Sequence, residues 1–247
     1  MMITIYTIAG SAVYAAEIPV SDQDQLITSS DWTEISNLQD EMKKEEPDAT
    51  IDYDKALKVY VDCNLIKLQT ADTKKLTSAL ESANYVWVIP FKMEKTYGMF
   101  TVAKGLPLRE EAKSVLTKAE QEEVKNHAGK WMITETAEHT VEPYYDILLE
   151  KREALSDCTR VVLVGSQPGM RQPVALGMDD ETARIWISLG YQYPVMKKIP
   201  ETQNVESGVY SFDSVAEISD TYIEDSEVST GAGVQSRSSM KYVSGIG

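Results

Sequence analysis

Four consecutive apolar residues, Val161-Val162-Leu163-Val164, closed at once by Gly165, constrain this chain more than any other stretch. A β-branched run of that length suits a strand covered on both faces. Ser166 to Arg171 then read as a turn, because Pro168 fixes φ and Gly169 is free to take a positive one. Pro173 to Met178 form a second short strand, Asp179-Asp180 a tight reversal, and Arg184 to Leu189 a third strand in which Ile185, Ile187 and Leu189 alternate with Trp186 and Ser188. The pattern predicts a three-stranded antiparallel meander.

Upstream, the period alternates between helix and strand. Asp31-x-x-Glu34 has the spacing of a capping box and starts a helix whose Trp32, Ile35, Leu38 and Met42 share a face, stopped at Pro47. Leu57, Val59, Val61 and Cys63 alternate with Lys58, Tyr60 and Asp62, as in a half-buried strand. A helix from Asp72 carries Leu76, Ala79, Leu80 and Ala83, and the strands Tyr85–Phe91 and Tyr97–Lys104 follow around a charged turn. A long acidic helix is expected over Arg109–His127 with Ala112, Val115, Leu116 and Ala119 inward; Thr117-x-x-Glu120 offers a separate start after a kink. A strand over Trp131–Thr136 and a helix over Val141–Ser156 lead into the meander.

These elements predict an α+β fold with a mostly antiparallel sheet and helices packed on one face. Helix-strand-strand order occurs over Asp72–Lys104 and again over Val141–Leu189, so residues 31–200 are expected to form an α+β domain with two similar helix-strand-strand units, packed as one body or as two lobes, 31–107 and 108–200. Residues 17–30 are polar and without period, which predicts a flexible leader. Residues 201–247 are rich in Ser, Thr, Gly, Asp and Glu and predict a disordered, low-complexity acidic C-terminal tail, with Val209 to Phe212 as the stretch that would touch the domain.

Residues 1–16 carry no charge and pass from bulky apolar to small residues before Glu17, with Val13 and Ala15 where a signal peptidase reads. The basic n-region of a signal peptide is missing, and the competing reading is a buried first strand through Ile3, Ile5 and Ile8. Export to the cell exterior or a bacterial-type envelope is the expectation, with no membrane insertion after cleavage, because no later stretch is apolar enough to span a bilayer. The formal charge of −15 argues against a nucleic-acid partner and against an anionic membrane surface. Of that charge, −6 lies in residues 201–247.

Cys63 and Cys158 are compatible with one disulfide in an oxidising compartment, which would restrict the unfolded chain by about 4 to 5 kcal/mol, or with two buried thiols. No Cys-x-x-Cys, His-Glu-x-x-His, phosphate loop or dinucleotide fingerprint occurs, so no cofactor or metal is expected. His127 suits a helix C-terminus and His139 a solvated loop, and neither pairs with Cys158 in a way that spacing supports. Gly165-Ser166-Gln167-Pro168-Gly169 has the wrong order for a nucleophile elbow. Asp179-Asp180-Glu181 reads as a turn, and Glu120, Glu122 and Glu123 as the wet face of a helix. The aromatics on or beside the two hairpins offer a different lead. Among them Trp87, Tyr97, Tyr191 and Tyr193 are the candidate binding surface, for a protein, peptide or glycan, with burial in the core as the competing role.

Functionally, the sequence leads to an exported, non-catalytic binding or interaction module. The alternatives are an extracellular hydrolase working through carboxylates, and an inhibitory or chaperone-like domain using a sheet edge.

Overall fold

The Val161–Val164 run lies at the middle of one large sheet. The computed structural model describes residues 18–139, 142–165, 167, 172–190, 199 and 204–218. In chain order it contains α1 (Trp32–Ile35), α2 (Gln39–Glu45), β1 (Thr50–Ile51), β2 (Leu57–Val61), α3 (Thr73–Glu81), β3 (Asn84–Lys92), β4 (Tyr97–Lys104) and α4 (Lys118–His127). Then follow β5 (Trp131–His139), α5 (Tyr144–Glu150), β6 (Arg160–Val164), β7 (Val174–Met178), β8 (Ala183–Ser188), β9 (Asn204–Glu206), β10 (Val209–Ser211) and a last helix, α6, over 212–218. The ten strands run β5-β4-β3-β2-β6-β7-β8-β10-β9, with β1 added beside the end of β3. Every pair of these strands is antiparallel except β2 with β6. The molecule is a mixed α+β domain with a large antiparallel sheet and several helices. Strands from 31–107 and from 108–200 pair within that one sheet, and no repeat unit is shown.

Alternation along the strands sends side chains to two faces. Tyr60, Trp87, Val162, Leu176, Trp186 and Tyr210 occupy one, where Ile35 and Met42 of the α1–α2 segment, Leu76 and Leu80 of α3, and Val215 of α6 cover them. Leu57, Val59, Val161, Leu163, Ala175 and Ile187 occupy the other, under Leu148 of α5, Leu155 and the leader residues Ile18 and Val20. Helices therefore cover both faces, not one as expected. The central strands are apolar on both sides, and such strands require a cover above and below.

Three further expectations change. The leader is an integral part of the sheet. β2 and β6 stay in register only at Val59↔Leu163 and Tyr60↔Val164 and then diverge, and the leader enters the fork. Gln25 bridges to Leu57 on one side and Val20 to Val161 on the other, with the Leu26 N–H donating to the Ala56 carbonyl (3.1 Å) and the Val161 N–H to the Pro19 carbonyl (2.7 Å). A fork exposes backbone groups that need partners, so a polar segment without period fits it. Likewise, the expected tail starts too early. Residues 204–218 form β9, β10 and α6, and Val209, Tyr210, Phe212 and Val215 are buried. Finally, the acidic helix breaks where its internal box allowed. Thr117 and Glu120 cap α4 reciprocally, and Val115, expected inward, is 79% exposed.

Cys63 and Cys158 are free thiols in different clusters. Asp62 takes a left-handed φ of 58°, which ends β2 and turns Cys63 away from the side that holds Leu57 and Val59. Cys158 sits on that other side over Gly177, where even a Cβ would come within 2.7 Å of its Sγ. The sheet separates the two, and a disulfide needs Cα atoms within about 7 Å.

At the mouth of the fork, Asp24 is only 2% exposed. Its carboxylate accepts from Tyr60 Oη (2.7 Å), Arg160 Nη2 (2.9 Å) and Ser21 Oγ (2.6 Å), with Lys58 Nζ at 3.9 Å. Removing that acceptor leaves two largely but not fully buried cations, Lys58 and Arg160, without their carboxylate at the fork. Asp24→Ala is expected to cost about 3–5 kcal/mol in equilibrium denaturant unfolding. A loss under about 1 kcal/mol would show that the fork closes without the carboxylate.

Candidate functional site

The charged residues nearest the core are engaged with one another. Lys58 lies under three rings, its Nζ 4.5 Å from the centroid of Tyr85, 5.2 Å from Trp87 and 5.8 Å from Tyr60. Burial, the larger cause, pulls its pKa down, and the Asp24 and Asp31 carboxylates oppose this. Asp31 does not cap α1 as its spacing predicts; its carboxylate accepts from Trp87 Nε1 (3.0 Å) and Tyr85 Oη (2.9 Å). Those two donors lie in a largely buried layer and need an acceptor, whereas the Trp32, Glu34 and Ile35 N–H groups at the helix start already donate to backbone carbonyls. Trp87, a candidate for the binding surface, is thus 0% exposed with its indole N–H already bonded. Arginine, lysine, carboxylates and phenols here form a structural network, with the cations answered by acids at short range.

This network has a pH signature. Tyr60 and Tyr85 are pushed above their ordinary value of 10.0, first by burial and then by hydrogen bonds to Asp24 and Asp31. A raised folded-state pKa stabilises fully below the unfolded value and is lost as pH rises past it, because the unfolded phenol ionises first. The stability advantage of the wild type over Tyr60→Phe is therefore expected to shrink above pH 10, by about 1.4 kcal/mol per pH unit. Chemical denaturation at a series of pH values measures it, and an advantage that stays constant from about pH 9 to about pH 11 would contradict the assignment.

The open chemistry lies on another part of the surface, in a groove of about 530 Å³ lined by Ile27, Trp32, Thr50, Ile51, Asp52, Tyr53, Asp54 and Lys92. Four separate pieces of chain build it. β1 pairs with the end of β3, Thr50 opposite Lys92 and Ile51 opposite Phe91, and the Asp52 N–H donates to the Pro90 carbonyl (2.9 Å). A single 3-10 turn, Tyr53–Lys55, then carries Tyr53 and Asp54 to the rim. The leader supplies Ile27 and the first residue of α1 supplies Trp32. Ile35 and Met42 take the core positions of that helical segment at 0% exposure, so Trp32 is left at the boundary. Its ring meets Tyr53 edge-on, with centroids 5.2 Å apart and planes at 70°. The Tyr53 hydroxyl turns inward to Met42 Sδ (3.8 Å), so the wall of the groove is ring and not phenol oxygen.

The other candidates are placed as follows. Tyr97 is half-buried at the start of β4, opposite Lys92 in register, with the Lys92 ammonium 5.8 Å from its ring centroid, so it adjoins the groove. Tyr191 and Tyr193 lie outside the described residues, as do residues 1–16. His127 ends α4. Burial, the larger cause, and neighbouring aspartates push the Cys63 and Cys158 thiols up to about 11, so both are protonated at neutral pH and poor nucleophiles. Asp179 accepts the N–H groups of Glu181 (2.8 Å) and Thr182 (2.6 Å), which holds its carboxyl below the usual range and fixes the reversal between β7 and β8. Among the described residues no three His, Cys, Asp or Glu side chains are grouped to hold a metal ion, and no helix is long and apolar enough to cross a membrane. Sequence reasoning assigned Trp32 to a helix core and did not single out Tyr53. The available signal was position: a Trp at the first residue of a helix sits where a buried stripe ends.

The chain has no match among family models, curated proteins or solved structures.

Proposed function

We propose that this protein is an exported, non-catalytic binding module that receives a protein, peptide or glycan partner in the Trp32–Tyr53 groove. One observation carries the reading: two aromatic rings and two aliphatic side chains line an open groove whose rim holds carboxylates and an ammonium group. Recognition sites combine apolar ring surface with a few polar groups that orient the partner in this way. The buried carboxylates Asp24 and Asp31 are engaged by structural donors, which favours binding over hydrolysis. At the sheet edge, β5 carries a register shift against Thr101 and Val102 and exposes Glu135 and Glu138, and bulges and charges of that kind blunt an edge against an added strand. The charge of −15 makes nucleic acid an unfavourable partner. Export is supported by residues 1–16, which carry no charge and pass from bulky apolar to small residues before Glu17.

Two measurements test the reading together. The protein recovered from culture supernatant is expected to begin at Glu17. When it is screened on peptide and glycan arrays, Trp32→Ala is expected to lose at least about 1–2 kcal/mol of binding to whatever the wild type retains, while still folding at the assay temperature by circular dichroism. Equal binding by the two proteins, or turnover of an arrayed ligand, would refute the groove or the non-catalytic role respectively.

A further inference from the structure

Resting on the groove as the binding site, we propose that its ligand is cationic: an arginine-bearing segment of a peptide or protein. Two carboxylates, Asp52 and Asp54, line the groove against one ammonium group, Lys92. Lys55 pairs with Asp52 (3.7 Å) and more closely with Asp146 (2.9 Å), so Asp52 is already answered in part and Asp54 is the lining carboxylate left for a ligand. Held between Asp146 and Asp52, the Lys55 ammonium keeps its proton more firmly than a free lysine, with the Asp146 hydrogen bond as the largest cause.

The rings add the second half of the chemistry. A guanidinium is planar, weakly hydrated and always charged; it stacks on an aromatic face while its edge donates to a carboxylate. Trp32 and Tyr53 offer ring surface from which the phenol oxygen has been turned inward to Met42, so the Tyr53 hydroxyl does not compete for the rim carboxylates, and Lys92 is the one charged donor of the lining. Thr50 supplies the remaining hydroxyl of the lining. Beyond contact distance, the charge of −15 draws cations toward the surface and speeds their encounter. Lys92 sits next to Tyr97, which places its repulsion at the end of the groove formed by β1 and β3 and leaves the Asp54 end for the cation.

Tryptophan emission reads this directly, because Trp87 and Trp186 are 0% exposed and Trp131 is 7% exposed, while Trp32 lines the groove. The full chain would be titrated with tri-arginine, and in parallel with tri-glutamate and a neutral trisaccharide. A saturable change with tri-arginine is expected, absent in Trp32→Phe, weakened roughly five- to tenfold in Asp54→Asn and falling as salt rises from about 50 to about 300 mM. Lys92→Ala is expected to bind tri-arginine more tightly. A Trp32-dependent response to the trisaccharide or to tri-glutamate as strong as that to tri-arginine would overturn the cationic ligand and keep the groove. No Trp32-dependent response to any of the three, with array binding unchanged by Trp32→Ala, would overturn both.

Discussion

A buried carboxylate at the mouth of a fork holds the two halves of this sheet together. β2 and β6 form the single parallel pair among the named strands, and they share only two registered residue pairs before they diverge. The antiparallel meanders on either side would meet there along a weak line. Asp24 closes one end by joining Tyr60 and Lys58 of β2 to Arg160 of β6. Gln167, 2% exposed, closes the other, donating to the carbonyls of Cys63 (2.7 Å) and Gly165 (3.0 Å) and accepting the Leu65 N–H (3.3 Å). A hydrogen bond holds its partners to a narrow geometry, so two such staples fix the register of a short ladder more sharply than apolar contacts do, although Arg160 Nε itself is buried without a hydrogen-bond partner among the described residues. Only a segment that puts an acceptor at the position of Asp24 answers both a phenol and a guanidinium, and that requirement selects the leader and its alignment.

Legibility in the sequence follows from where each element finds its partners. The meander of β6, β7 and β8 was readable because its apolar residues declare burial by themselves, and α3 because Asp72 caps it locally, accepting the Lys75 N–H. The leader was not, because its role depends on Arg160, 136 residues away, and its polar residues look solvated until the fork is known. Asp31 had the spacing of a cap, but the Trp87 indole and the Tyr85 hydroxyl on β3 hold the same carboxylate, and at the start of α1 the Trp32, Glu34 and Ile35 N–H groups already donate to the backbone carbonyls of Ser29 and Asp31. Cys63 was placed by alternation that a single left-handed residue, Asp62, interrupts. In the expected tail, Tyr210, Phe212 and Val215 are too sparse to signal a core, yet each completes one already built by Trp186 and Leu76. The helix-one-face expectation failed for a related reason: the apolar run that announced β6 also demanded two covers, and α5 supplies the second.

The aromatic candidates divide in the same way. Trp87 and Trp186 lie on central strands, where both faces are covered, and a large ring there becomes core. Trp32 and Tyr53 lie on a first helical turn and a 3-10 turn, at the margin of the layer that covers β3, and margins are where ring surface stays accessible. Sequence pattern ranks residues by hydrophobicity and period, and neither distinguishes a ring at the centre of a layer from one at its border.

The groove inherits its shape from the buried network without being buried itself. Each lining residue adjoins one that is locked. Ile27 follows Leu26, which is 0% exposed and bonded to Ala56; Trp32 follows Asp31, held by Trp87 and Tyr85. Ile51 is in register with Phe91, and that ring packs over Gly98 and lies 4.6 Å from Phe100. Tyr53 is tethered through its hydroxyl to Met42. A binding surface whose walls are fixed by neighbours loses little freedom when a ligand arrives, which is the main route by which a small, open groove reaches useful affinity. The same leader that closes the fork through Asp24 thus positions two of the groove's apolar walls, so the seam of the sheet and the shape of the proposed site rest on one continuous stretch, Asp24 to Trp32.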